Sequence, residues 1–147
     1  MRRDSAMAMI GWRLSSLLDG AIEPTEDGDF QFEAGCADIL VSVDSTDGLD
    51  MLVMAARLVH RIKPRTRTSG ILGALNASAV PFRVVRSEDQ VLGLWVVPIE
   101  TVDGKIFERV LNTFCRTVNE VAPELARACK GRTPNQIESP ARDEIDA

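Results

Sequence analysis

Apolar residues recur at helical spacing near the start of the chain. Ile10, Leu14, Leu17 and Leu18 fall on one face, and Asp4 or Ser5 can cap the first turn. The pattern predicts an amphipathic helix that ends at Gly20. The next stretch, "AIEPTEDGDFQFEAG", carries Pro24 and two acidic, glycine-containing turns before Phe30 and Phe32 alternate with polar neighbours. It predicts a loop and a short strand. In "CADILVSVD" the residues Ile39, Val41 and Val43 alternate with Leu40 and Ser42, and "STDG" supplies a turn before "LDMLVMAARLVH". Those two runs predict a hairpin.

Thr68 to Ala77 contains Ile71, Leu72 and Leu75 without a proline, which predicts a short helix weakened by Gly70 and Gly73. Asn76 stands near its end and suits a C-terminal cap. "VPFRVVRS" and "VLGLWVVPI", separated by "EDQ", predict a second hairpin. The run Val91 to Val97 is apolar on both alternating faces, as in a strand covered on two sides, and a second subunit is one candidate cover. Asp103 can cap a long last helix starting near Lys105. Its seam of Phe107, Leu111, Phe114, Val118, Val121 and Leu125 alternates steps of four and three, and Pro123 should kink or restart it.

From Gly131 the segment "GRTPNQIESPARDEIDA" has two prolines and only isolated Ile137 and Ile145, too little apolar surface to offset ordering. The organisation expected is one domain over 1–130 and a flexible polar tail over 131–147. The element order is helix, three strands, helix, two strands, helix. It describes an α+β fold in which helices cover a twisted antiparallel sheet.

A chain of 147 residues can bury a core without metal or disulfide support. Its formal charge of −5 argues against general binding to nucleic acid or to an anionic membrane. Cys36, Cys115 and Cys129 are odd in number and lack metal-ligand spacing, which fits reduced thiols in the cytoplasm. The first twenty residues resemble a signal peptide only in their early arginines, because Arg13, Ser15, Ser16 and Asp19 break the apolar run. No run reaches the roughly 18 apolar residues of a membrane helix.

Little here can carry catalysis. His60 is the single histidine, its neighbours are Arg57, Arg61 and Lys63, and it reads as a surface histidine at a strand end. Asp44, Asp47 and Asp50 miss the oxygen spacing of a calcium loop, and no phosphate loop or nucleophile elbow is present. No catalytic residue, metal site or cofactor is expected. The run "RLVHRIKPRTR" places Arg57, Arg61, Lys63, Arg65 and Arg67 together without an acid. It offers a patch for an anion or an acidic partner, or a solvated loop. Met7, Met9 and Trp12 widen the apolar surface of the first helix beyond one face, which suits either a packed core or adaptable peptide recognition.

Three stretches carry a family likeness: "VSVDSTDGLDMLVMAARLV", "ILGALNASAVPFRVV" and "VLGLWVVPIETVDGKIFERVLNTFCRTVNEVAPEL". Across Met7 to Leu125 the chain resembles the fold shared by class I type III secretion chaperones and the YbjN-like sensory transduction regulators. Leu72, Leu75 and Asn76 fit a Leu-x-x-Asn segment, whereas Leu111 and Phe114 fit the pattern of the last helix loosely. The resemblance implies a noncatalytic chaperone or adaptor, cytoplasmic and homodimeric, that binds an extended or partly unfolded protein segment. It places the dimer interface at Ile71, Leu72, Leu75, Leu92, Leu94 and Trp95, and peptide contacts at Leu14, Leu17, Leu18, Val41 and Val43. The alternative it leaves open is a YbjN-like regulator acting through protein contacts.

Overall fold

The alternation of Ile39, Val41 and Val43 with more polar neighbours becomes β2 (Ala37–Thr46), the central half of a long hairpin with β3 (Leu49–Val59). Asp47 and Gly48 join them, both with positive φ (51° and 80°), the backbone that lets a two-residue turn follow the twist of its strands. In the computed structural model, residues 3–20, 22–63, 68–77 and 82–136 are described. The other elements are α1 (Arg3–Leu17), β1 (Phe30–Ala34), α2 (Ser69–Asn76), β4 (Arg83–Ser87), β5 (Gln90–Pro98) and α3 (Gly104–Ala128). Their order is the expected one. The five strands form one antiparallel sheet in the order β1-β2-β3-β5-β4.

Register decides which residues share a face. Phe30, Val41, Met54 and Trp95 lie side by side across β1, β2, β3 and β5, and so do Phe32, Ile39, Ala56 and Gly93. This inner face packs beneath α1 and α3, with Ile10 and Leu14 from α1 and Phe107, Leu111, Phe114 and Val118 from α3 all buried. Each large side chain so buried contributes about 1.5–3 kcal/mol, which makes the inner face the source of the fold's stability.

α3 begins at the expected cap, where the Asp103 carboxylate accepts from the Ile106 N–H at 2.9 Å. The helix does not restart at Pro123, and its 25 residues run through it. The proline ring stands exposed while Val118, Ala122, Leu125 and Ala126 stay buried around it, so packing outweighs one missing hydrogen bond. At the other end of the chain α1 stops at Leu17, and Leu17 and Leu18 lie 41% exposed beyond the buried stripe of Ala6, Ile10 and Leu14.

The start of the expected tail packs on the domain. His60 and Arg132 exchange backbone hydrogen bonds of 2.8 and 2.9 Å, and a short helical turn follows at Pro134–Gln136. Arg132 and Thr133 are buried as a result. Residues 137–147 lie outside the described residues.

Candidate functional site

The opposite face of the sheet carries no helix among the described residues. Two rows of side chains define it: Glu33, Asp38, Arg57, Leu92 and Val85 in one, and Gln31, Leu40, Ala55, Leu94 and Arg83 in the next. Leu40 and Leu94 stand on either side of Ala55 in the register, and a groove of about 630 Å³ lies over Leu40, Ala55 and Leu92. Val96, opposite Val53, extends the apolar surface and is 48% exposed; Val85 is 40% exposed.

Among the described residues, three charged side chains line the groove, those of Glu33, Asp38 and Arg57, and the last two are paired. Arg57 Nη2 donates to Asp38 Oδ2 at 2.7 Å, with both side chains more than a third exposed. The basic run therefore meets an acid from the neighbouring strand, which its linear sequence conceals. Arg61 and Lys63 are exposed where the chain leaves β3, and Arg61 takes a positive φ of 57°. Arg65 and Arg67 lie outside the described residues.

The two edges of the sheet are treated differently. On β4 the Asn76 carboxamide pairs with the backbone of Val84, Nδ2 donating to its C=O and Oδ1 accepting from its N–H, both at 2.8 Å. A side chain thus occupies the place a further strand would take. Asn76 ends α2, but its amide caps the strand rather than the helix, whose C-cap position is Ala77. Across the sheet, β1 pairs with β2, and its Phe30–Glu33 stretch has no such plug among the described residues. The β1–β2 turn is held by Asn119 of α3, which accepts from Cys36 N–H at 2.8 Å and donates to Ala34 C=O at 3.0 Å.

The residues expected from the sequence to meet a peptide separate into two groups. Leu14, Val41 and Val43 are fully buried on the inner face, where the alternation of β2 aims the valines at the helices, so no ligand reaches them in this packing. Leu17 and Leu18 are exposed at the end of α1. The residues expected at a dimer interface also divide. Leu92 and Leu94 face outward with the groove, whereas Trp95 alternates to the inner face and is half-buried. On α2, Leu72 is buried and Ile71 and Leu75 are half-buried against the core. One flat contact therefore cannot cover all six. The outer groove itself was legible in one signal: Leu40, Leu92 and Leu94 are apolar at positions the inner-face pattern leaves to solvent.

His60 is buried rather than on the surface. Its Nε2 lies 3.2 Å from Thr133 C=O, which assigns the proton to that nitrogen because a carbonyl only accepts. Burial pushes its pKa below the ordinary value, and Arg57 and Arg61 push the same way against the Thr133 carbonyl and Asp89. All three cysteines are free thiols. Burial pushes Cys115 up to about 11 and raises Cys36 and Cys129, which keeps them protonated and unreactive at neutral pH. Among the described residues no group of three or more His, Cys, Asp or Glu could hold a metal ion. None of the described helices is long and apolar enough to cross a membrane.

Residues 4–137 match the family model described as T3SS (YopN, CesT) and YbjN peptide-binding chaperone 1. Among solved structures, the fold is similar to that of the Yersinia pestis type III secretion chaperone SycH, determined in complex with a stable fragment of YscM2. The TM-score is 0.56 at 15% identity, over 77% of this chain and 96% of that one, a likeness of fold. No curated protein gives a significant sequence match.

Proposed function

Because the chain belongs to the T3SS and YbjN family of peptide-binding chaperones, we propose that the outer face of its sheet holds an extended segment of a client protein. The observation that carries this reading is the apolar groove over Leu40, Ala55 and Leu92, on a face that carries no helix, and beside an edge of β1 that carries no plug, among the described residues. An extended segment can add to β1 through its backbone, and alternate side chains then drop into the groove. The five residues of β1 set the length read, about five to six client residues. An apolar client side chain fits over Ala55, and a polar neighbour can reach the exposed pair of Arg57 and Asp38. Leu17 and Leu18 offer a second apolar contact at the end of α1.

The reading includes a homodimer. Leu94, Val96 and Val85 form the β5–β4 side of the outer face, away from β1, and a second copy covering them would leave the edge of β1 open. SycH was solved with a fragment of YscM2, and the corresponding client here is a protein of a secretion system or a regulatory partner. Three protonated, free thiols suit a reducing compartment, and the cytoplasm is the location this reading takes.

The test uses reduced, carboxymethylated α-lactalbumin as an unfolded probe, with binding followed by fluorescence anisotropy. Leu40→Arg and Ala55→Arg should each weaken binding at least tenfold, with thermal unfolding close to that of the parent chain. Equal binding by parent and variants would overturn the placement of the site.

A further inference from the structure

Glu33 heads one of the two rows that cross the outer face. From the free edge inward that row reads Glu33, Asp38 and Arg57, with Leu92 and Val85 beyond. Two carboxylates therefore stand directly opposite each other on β1 and β2, an arrangement that costs stability in a sheet. Arg57 pairs with the inner one, donating to Asp38 at 2.7 Å. Glu33 is exposed, and its carboxylate takes no hydrogen bond or ion pair among the described residues. The row is one cation short at the edge of the sheet.

The backbone of β1 fixes where that cation would stand. Ala34 and Ala37 flank the two-residue turn at Gly35 and Cys36, so they exchange both ladder hydrogen bonds. Alternation then turns the N–H and C=O of Phe32 and Phe30 toward β2 as well, and those of Glu33 and Gln31 toward the free edge. An antiparallel segment bonded there places one residue directly opposite Glu33, with the two Cα atoms about 5.5 Å apart and its side chain on the same outer face. Its next residue points to the inner side, beside half-buried Phe32. The one after returns to the outer face at the head of the row of Gln31, Leu40 and Ala55. A cleft of about 130 Å³ between Glu33, Asp38 and Asn135 gives the tip of a long side chain room beside both carboxylates.

We infer that the client segment carries a lysine or arginine opposite Glu33 and an apolar residue two positions toward its C-terminus, so that Glu33 selects clients by charge. This rests on the groove and the edge of β1 being the client site. A cation there completes a row of base, acid, acid and base. An acid at the same position would stand third in a line of carboxylates and be rejected. The same contact sets the register, because a slip of one residue turns the cation to the inner face against Phe32.

The experiment sets two fluorescein-labelled peptides against the full chain, Thr-Lys-Val-Leu-Val-Thr amide and the same sequence with Glu in place of Lys. Binding is followed by anisotropy and by the backbone amide shifts of Leu40, Ala55 and Leu92. The Lys peptide should bind at least threefold more tightly than the Glu peptide and move those amides. Glu33→Lys should reverse the order. Glu124→Lys, an equal change of charge at an exposed position of α3, should leave the order as in the parent. Equal affinities for the two peptides overturn the inference, as does a Lys peptide that fails to bind at millimolar concentration. A preference that Glu124→Lys abolishes as fully as Glu33→Lys is general attraction to an acidic protein, and a preference without shifts at the groove amides lies elsewhere; both equally overturn it. Carboxymethylated α-lactalbumin then decides the underlying reading. If it still moves the groove amides, the groove remains the client site without selection by charge; if it does not, the site reading falls too.

Discussion

The Asn76 carboxamide and the backbone of Val84 face each other as two strands would, with one N–H···O=C hydrogen bond running in each direction at 2.8 Å. An unpaired edge strand invites pairing with another chain, and a side chain that fills its middle removes the template. The plug leaves β1 as the edge to which the proposed client segment would add.

Asn76→Ala should lower stability by about 1–2 kcal/mol, the worth of two hydrogen bonds partly replaced by water. It should also make the protein associate with rising concentration. Asn76→Asp keeps an acceptor for the Val84 N–H and loses the donor for its C=O, placing a carboxylate against a carbonyl. Urea unfolding should rank it no better than alanine, and light scattering reports the association.

Gly35 and Asn119 form the corresponding lock on the β1–β2 turn. Gly35 has φ of 63°, and a Cβ there would collide with the Asn119 carboxamide. Gly35→Ala should cost about 1–3 kcal/mol through backbone strain and displacement of that side chain. Asn119→Ala should cost a similar amount by leaving Cys36 N–H and Ala34 C=O without their partner. Because both changes break the same contact, the double variant should lose less than the two added, by at least about 0.5 kcal/mol. A strictly additive cycle would show that the turn and the helix are not coupled.

Much of the fold could be read in advance because its signals are local. The Asp-Gly pair at 47–48, the Asp103 cap and the seam of α3 each act within a few residues. What the sequence hid was pairing across distance. Arg57 looks acid-free in its run, yet Asp38, nineteen residues earlier, sits opposite it through strand register. His60 has the neighbours of a surface residue, and only the return of Arg132 and Thr133 buries it. The sites expected at Val41 and Val43 went inward for the same reason. Alternation reveals that a strand has two faces, and helix placement decides which one is covered.

His60 gives that return a pH dependence. Its folded pKa lies below the ordinary value of 6.5 because burial disfavours the charged ring. Between the folded pKa and 6.5 the unfolded chain holds more protons than the folded one, so stability from this group is present above about 6.5 and falls as pH drops. Urea midpoints should decline from pH 7.5 to 5.5, and His60→Gln, which retains a donor for Thr133 C=O, should flatten part of that decline. An unchanged slope would assign the acid sensitivity to other groups.

Val85 and Val96 separate the proposed self-association from folding. Both are outward, 40% and 48% exposed, and neither contributes to the inner core. Exposed positions of this kind usually change stability by less than about 0.5 kcal/mol. A charge at a buried interface, by contrast, must be desolvated without a partner, which costs several kcal/mol. Val96→Arg should therefore leave the unfolding transition of the protomer in place while weakening self-association at least a hundredfold by sedimentation velocity. Val85→Arg should act in the same direction, placed as it is beside Leu92 on the edge strand. Dimers that survive both substitutions would have to use the other side of the molecule, where Ile71 and Leu75 of α2 are half-buried. Ile71→Arg would then be the variant that dissociates them, so the three proteins together decide which face a second copy covers.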